Sequence, residues 1–366
     1  MLGEALNPLA SPHPPPTADS FLSVEDVYAK YPIRKGVFLR ETVGHVHALD
    51  GVNLRLQKGE ALGLVGESGC GKSTLARVIV QLTPLTSGRV LLEGTDLSRV
   101  KGAEKRRIRR RLQLVFQDPY DSLNGRMRVG DIVGEPLQIH RLGRPAERPS
   151  RVRDLLQQVD LDPKIARRYP REFSGGQRQR IAIARALAVG PEILILDEPL
   201  SAIDVSVQAQ ILNLLDSLRR RKNLTYLFIA HDIAIVRQFC DRIAVMYLGK
   251  IAELGDREQV TGTPLHPYTQ ALISAVPIPD PQVEKTRRRI RLSGEVPSAI
   301  NPPTGCRFHT RCPVAQTLCE DVEPPLEEKE SGRWVACHFV ERGPQGAVAP
   351  RLSSLAADPG TAPMAN

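Results

Sequence analysis

Residues 66–74 constrain the fold of this chain more than any other stretch. They read Gly66-Glu67-Ser68-Gly69-Cys70-Gly71-Lys72-Ser73-Thr74. A short apolar run, Ala61–Val65, precedes them, and an amphipathic stretch continuing through Leu75–Gln81 follows. That is a phosphate-binding loop in its required strand–loop–helix setting. Its glycines let successive backbone N–H groups converge on an anion. A helix beginning near Lys72 adds its positive dipole end. Lys72 is placed to reach the β and γ phosphates of a nucleotide, and the Ser73 hydroxyl to ligate Mg²⁺. Cys70 reads as a small tolerated side chain in the loop rather than a redox group. The plainer alternative, a glycine-rich turn before a helix, does not need Lys72 and Ser73 at these positions.

Such a loop belongs to an α/β chain, and the surrounding pattern agrees. Leu112–Phe116, Ile193–Leu196, Tyr226–Ala230 and Ile243–Met246 read as strands, and Gln177–Val189 as a helix. Asp204 can cap a further helix whose apolar face is Val207, Ile211, Leu214, Leu215 and Leu218. Strands alternating with helices predict a mainly parallel sheet covered on both faces. Ligands of such sheets sit at the carboxyl ends of the strands. Asp197-Glu198 follows one strand there, and two carboxylates at that depth need a cation or a proton-transfer task. Asp197 suits the Mg²⁺ shell, and Glu198 can polarise an attacking water. Gln117 and His231 follow two other strands and come to the same edge.

Composition narrows the class. The chain has 366 residues with 25% charged and 41% hydrophobic, which suits a soluble protein of one large and one small domain. The longest apolar stretch, Ile181–Leu196, is broken by Arg185, Gly190, Pro191 and Glu192, short of a membrane span. No secretory signal is legible, so a cytosolic location is expected, with cysteines as thiols or metal ligands. The net charge of +9 points to acidic partners or simply to a soluble surface. Only ten of the 30 prolines fall in residues 21–260. That predicts a regular domain over 21–260, a further unit over 261–340, and disordered tails at 1–20 and 341–366.

Phe173-Ser174-Gly175-Gly176-Gln177 opens the helix that carries Arg178, Arg180 and Arg185, a second phosphate-binding surface. One terminal phosphate does not need two such surfaces from one chain, which suggests nucleotide held between two subunits. In combination these residues resemble the cassette of ABC ATPases. The order is Walker A (66–74), Q-loop Gln117, signature Phe173–Gln177, Walker B Ile193–Asp197, catalytic Glu198, D-loop Ser201-Ala202-Ile203-Asp204 and switch His231. Phe173 and Ile203 stand where Leu is usual. The resemblance implies a P-loop cassette with a mainly parallel core, an antiparallel β subdomain and a helical subdomain. It also implies ATP and Mg²⁺, the latter held by Ser73, Asp197 and Gln117. Ser174, Gly175, Gly176 and Gln177 of one cassette complete the ATP site of a second. Tyr31 is the candidate for adenine stacking.

The C-terminal third resembles the extension of ATP-binding subunits of bacterial oligopeptide/dipeptide importers. It carries His266-Pro267-Tyr268-Thr269-Gln270-Ala271-Leu272, Gly294–Ser298, Gly305-Cys306-Arg307-Phe308-His309 and Arg311-Cys312-Pro313. The resemblance implies two transmembrane permease subunits, an identical or paralogous second cassette, an external substrate-binding protein, and a place on the cytoplasmic face of the membrane. The segment from Gln117 to about Tyr169 is then the helical subdomain that meets the permease. Peptide is the implied cargo, with nickel or glycans as alternatives. A soluble ABC ATPase acting on nucleic acid or ribosomes is disfavoured by the single cassette and the lack of sustained heptads. Four cysteines, Cys306, Cys312, Cys319 and Cys337, suggest a metal. Their spacing matches neither zinc ribbons nor ferredoxins, His309 and His338 keep zinc open, and the family resemblance implies a [4Fe–4S] cluster.

Overall fold

The computed structural model describes residues 20–35, 41–118, 122–201, 203–277, 289–343 and 346–350. Of the tails expected at 1–20 and 341–366, residues 1–19 and 351–366 lie outside them. Strands β1 (Leu22–Lys35) and β2 (Glu41–Leu56) form a long antiparallel hairpin. β3 (Ala61–Val65) follows, then the loop of interest and helix α1 (Lys72–Ile79). β4 (Ser87–Leu92) and β5 (Thr95–Asp96) complete a four-stranded antiparallel sheet in the order β2-β1-β4-β5.

Helix α2 (Gly102–Arg111) leads into β6 (Leu112–Val115). Helices α3 (Val129–Ile139) and α4 (Arg148–Gln158) form the helical part of the chain, and α5 (Gly175–Leu187) returns to the sheet. Next come β7 (Ile193–Asp197), α6 (Val205–Lys222), β8 (Thr225–Ala230), α7 (Ile233–Phe239), β9 (Arg242–Tyr247) and β10 (Lys250–Asp256). The pairs β3–β8, β3–β9, β7–β8 and β6–β7 are parallel, as the alternation of strand and helix predicts.

Period-two alternation explains why these strands read as unbroken apolar runs. In β7, Leu194 and Leu196 face the core shared with α5 and α6, while Ile193 and Ile195 face the one shared with α1 and the antiparallel sheet. Both faces are covered, so Ile193–Leu196 are all apolar, and Asp197 closes the strand at the site. On α6, Ile211, Leu214, Leu215 and Leu218 are buried as their spacing predicts. Asp204 stands at the N-cap, but its side chain makes no capping hydrogen bond.

The C-terminal region adds α8 (Arg257–Gly262), α9 (Pro267–Ala275) and α10 (Thr317–Asp321). It also adds β11 (Glu327–Glu330) and β12 (Arg333–Val335), which extend the large sheet beyond β10. The final sheet order is β11-β12-β10-β9-β3-β8-β7-β6. Glu253 on β10 and Arg333 on β12 form a buried ion pair, 2.8 Å apart. The Glu253 carboxylate also accepts from the N–H groups of Leu265 and His266. These extra donors satisfy charges that would otherwise be costly to bury. The stretch from 341, expected as a disordered tail, begins instead with a hairpin of β13 (Glu341–Gly343) and β14 (Gly346–Val348).

Candidate active site

The loop 66–74 connects the carboxyl end of β3 to α1. Gly71 supplies its last turn in the left-handed region, with φ 112°. A Cβ there would stand 2.3 Å from the Ala48 carbonyl, so only glycine lets β2 pass this close. Lys72 is buried and donates to the carbonyls of Gly66 (2.7 Å) and Glu67 (3.0 Å). Cys70 is buried, and burial raises its thiol pKa, which suits the inert role expected of it.

Four sequence-predicted residues converge on this loop. Ser73 Oγ donates to Asp197 Oδ1 at 2.9 Å. Burial raises the Asp197 carboxyl pKa, opposed by the Ser73 hydrogen bond. A hydroxyl beside a half-desolvated carboxylate is an all-oxygen donor set, which fits Mg²⁺ sharing substrate phosphates. Glu198 takes φ 46° at the end of β7 and is reached from three sides. Gln117 Nε2 donates to Glu198 Oε2 at 2.8 Å, His231 Nδ1 lies 3.6 Å from the same oxygen, and Lys72 Nζ lies 3.9 Å from Oε1. The Gln117 amide is thus engaged with Glu198. No hydrogen bond joins it to Ser73 or Asp197 among the described residues.

The signature residues stand apart from this group. Ser174 caps α5, accepting from Gln177 N–H (3.4 Å), and Gln177 Oε1 accepts from Ser174 N–H (3.1 Å). A Cβ on Gly176 would meet Val207 at 2.3 Å, so glycine lets α5 approach α6 here. Ser201 Oγ donates to the Glu198 backbone carbonyl (3.1 Å), holding Ser201 to the main chain at the end of β7; Ala202 lies outside the described residues. Tyr31 is on β1 opposite Val46, two residues before Ala48, and is partly exposed.

The sequence reading missed contacts from the C-terminal region. Tyr268 Oη accepts from Glu67 N–H at 2.9 Å, and Arg311 donates to the Glu67 carboxylate at 2.8 Å. Both residues sit in stretches that the sequence singles out, but nothing in spacing reveals what they touch.

The iron–sulfur expectation is not supported. Among the described residues no group of three or more His, Cys, Asp or Glu is arranged to hold a metal ion. His309 Nδ1 and His338 Nε2 each meet a backbone carbonyl, of Cys306 and Val322, at 2.9 Å. Burial pushes the thiols of Cys306 and Cys312 up to about 11 and about 12 and raises Cys337 as well, with the neighbouring cysteines adding to each shift. Nothing in this arrangement supports the cluster.

Comparison with known proteins gives consistent matches. A family profile described as ABC transporter matches residues 49–201, and one described as oligopeptide/dipeptide transporter, C-terminal region, matches residues 252–319. The chain is 50% identical over 322 residues to the oligopeptide transport ATP-binding protein AppF of Bacillus subtilis, covering 88% of this chain and 98% of that protein. It is 50% identical over 309 residues to OppF of Salmonella typhimurium, also an oligopeptide transport ATP-binding protein, covering 84% and 92%. Among solved structures it is similar to the ATP-binding cassette MJ0796, a dimer in a post-hydrolysis state with ADP and Pi. The TM-score is 0.57 at 30% identity, over 64% of this chain and 98% of that one.

Proposed function

The chain belongs to the ATP-binding proteins of oligopeptide/dipeptide ABC transporters, and from that premise we propose how its residues power peptide import. It is an ATPase. Lys72 and the loop N–H groups take the phosphates, and Ser73 and Asp197 hold Mg²⁺, which when bound neutralises phosphate charge. Glu198 accepts a proton from the attacking water. Gln117 and His231 orient Glu198, and His231 is exposed enough to sense the terminal phosphate. The observation that carries this reading is the convergence of Gln117, His231 and Lys72 on the single carboxylate of Glu198.

Ser174, Gly175, Gly176 and Gln177 serve the ATP site of a second cassette, identical or paralogous, with Asp204 at the junction. What supports this is that, among the described residues, their side-chain hydrogen bonds are local and none reaches residues 66–74. Tyr31 stacks on adenine, a reading supported by the passage of the β1–β2 hairpin beside Gly71. Among the described residues no helix is long and apolar enough to cross a membrane. Similarity to oligopeptide transport ATP-binding proteins supports a pore made by two permease subunits, with the protein at the cytoplasmic membrane face beneath an external binding protein. A groove beside Gln117 supports permease docking: it is lined by Leu82, Phe116, Ile139, Arg106, Arg185 and Glu135. Ile139 is 68% exposed and Leu82 56%, a high value for such side chains.

Reconstitution with the cognate permeases and binding protein tests the cargo. ATP-dependent uptake of a labelled oligopeptide is expected. Uptake of nickel or glycan with no peptide uptake would overturn peptide as the substrate class.

A further inference from the structure

Glu67 in the P-loop is engaged at every polar group. Its N–H donates to Tyr268 Oη (2.9 Å), its carbonyl accepts from Lys72 Nζ (3.0 Å), and its carboxylate accepts from Arg311 Nη1 (2.8 Å). Two of these three partners come from the C-terminal region, 201 and 244 residues away in sequence. Neither is free to swing. Tyr268 is fully buried, and its ring lies 4.7 Å from that of Tyr247 and 5.4 Å from that of Phe308. Arg311 is 9% exposed and also reaches the Tyr247 hydroxyl at 3.4 Å. The pair is partly buried, with the Glu67 side chain 26% exposed, and removing one partner leaves the other charge uncompensated. Removing the Tyr268 hydroxyl would leave the Glu67 N–H without its partner.

We propose that Tyr268 and Arg311 are positioning residues for the P-loop: through Glu67 they fix the start of the loop, so that docking of the C-terminal region sets the affinity for ATP. The loop's later N–H groups must all meet one anion, so a shift at Glu67 misaligns several donors together. By thermodynamic reciprocity, ATP tightens the docking of the region that holds its loop. This inference rests on residues 66–74 being the ATP site.

The test is titration of the full-length protein with a fluorescent ATP analogue. Arg311→Ala and Glu67→Gln each raise Kd about five-fold or more, and the double variant is no weaker than the weaker single. Arg311→Lys recovers part of the loss. Turnover of Arg311→Ala at saturating ATP changes less than its affinity does. In the wild type, nucleotide slows amide exchange over residues 304–312; in Arg311→Ala it does not. Glu67→Gln keeps the test open if Arg311→Ala fails to fold. Lys72→Ala is the control. If Lys72→Ala binds weakly while Arg311→Ala and Glu67→Gln bind like wild type, the positioning role is wrong. If Lys72→Ala also binds normally, the ATP-site reading and this inference fall together.

Discussion

Lys72 spends its charge on the loop that carries it, bonding to the carbonyls of Gly66 and Glu67. Phosphate binding must exchange these bonds for stronger charge-assisted ones. Lys72→Ala therefore weakens ATP binding about ten- to a hundred-fold, the equivalent of one to two charged hydrogen bonds. Equilibrium titration with Mg-ATP checks this, and unchanged affinity would contradict the role. At this scale the sequence is informative where a residue's place follows from a strand end. Gln117, Asp197, Glu198 and His231 are legible because each directly follows an apolar run. Tyr268 and Arg311 are not, since their contact with Glu67 spans most of the chain and leaves no periodic trace. The cysteines are hard to read for a related reason: four thiols in 32 residues suggest a ligand set, and spacing alone does not say whether they hold a metal.

Helix α9 depends on a histidine that cannot afford a charge. His266 is buried, and its Nδ1 accepts from the Tyr268 N–H at 3.1 Å, which requires that nitrogen to be unprotonated. Burial lowers its pKa from 6.5 to about 4. The folded pKa lies below the unfolded one, so the unfolded chain binds the proton first as pH falls. The stabilisation is complete above about pH 6.5 and is lost progressively as pH falls toward 4, amounting to roughly 3 kcal/mol. Thermal unfolding of the wild type and His266→Gln from pH 8 to 4.5 checks it. The wild type should lose stability faster on acidification, and parallel curves would contradict the assignment. The same helix sets Tyr268 against the P-loop, so acidification should loosen that contact too. Most elements were legible from apolar runs bounded by glycine and proline. Strands β11 and β12 were not, because Glu327–Glu330 and Arg333–Val335 lack an apolar alternation; β12 is ordered by pairing with β10 and by the Glu253–Arg333 ion pair, and β11 by pairing with β12.

At the scale of the whole molecule, the C-terminal region is continuous with the cassette rather than beside it. It extends the main sheet through β12 and reaches the nucleotide loop through Tyr268 and Arg311. The parallel sheet and its two covered faces follow from the alternation of strands and helices, and the antiparallel β subdomain from the family resemblance. The joint between cassette and extension does not, because it is made by backbone pairing and buried charges. In the cycle we propose, ATP closes two cassettes, hydrolysis at Glu198 releases them, and the permeases convert that motion to transport. The most direct measurement is phosphate release and ATP retention by the reconstituted transporter carrying Glu198→Gln. Turnover should fall by about a hundred-fold or more while ATP stays bound in the closed complex. Hydrolysis at the wild-type rate would contradict the assignment of Glu198, and with it the account of how this chain does its work.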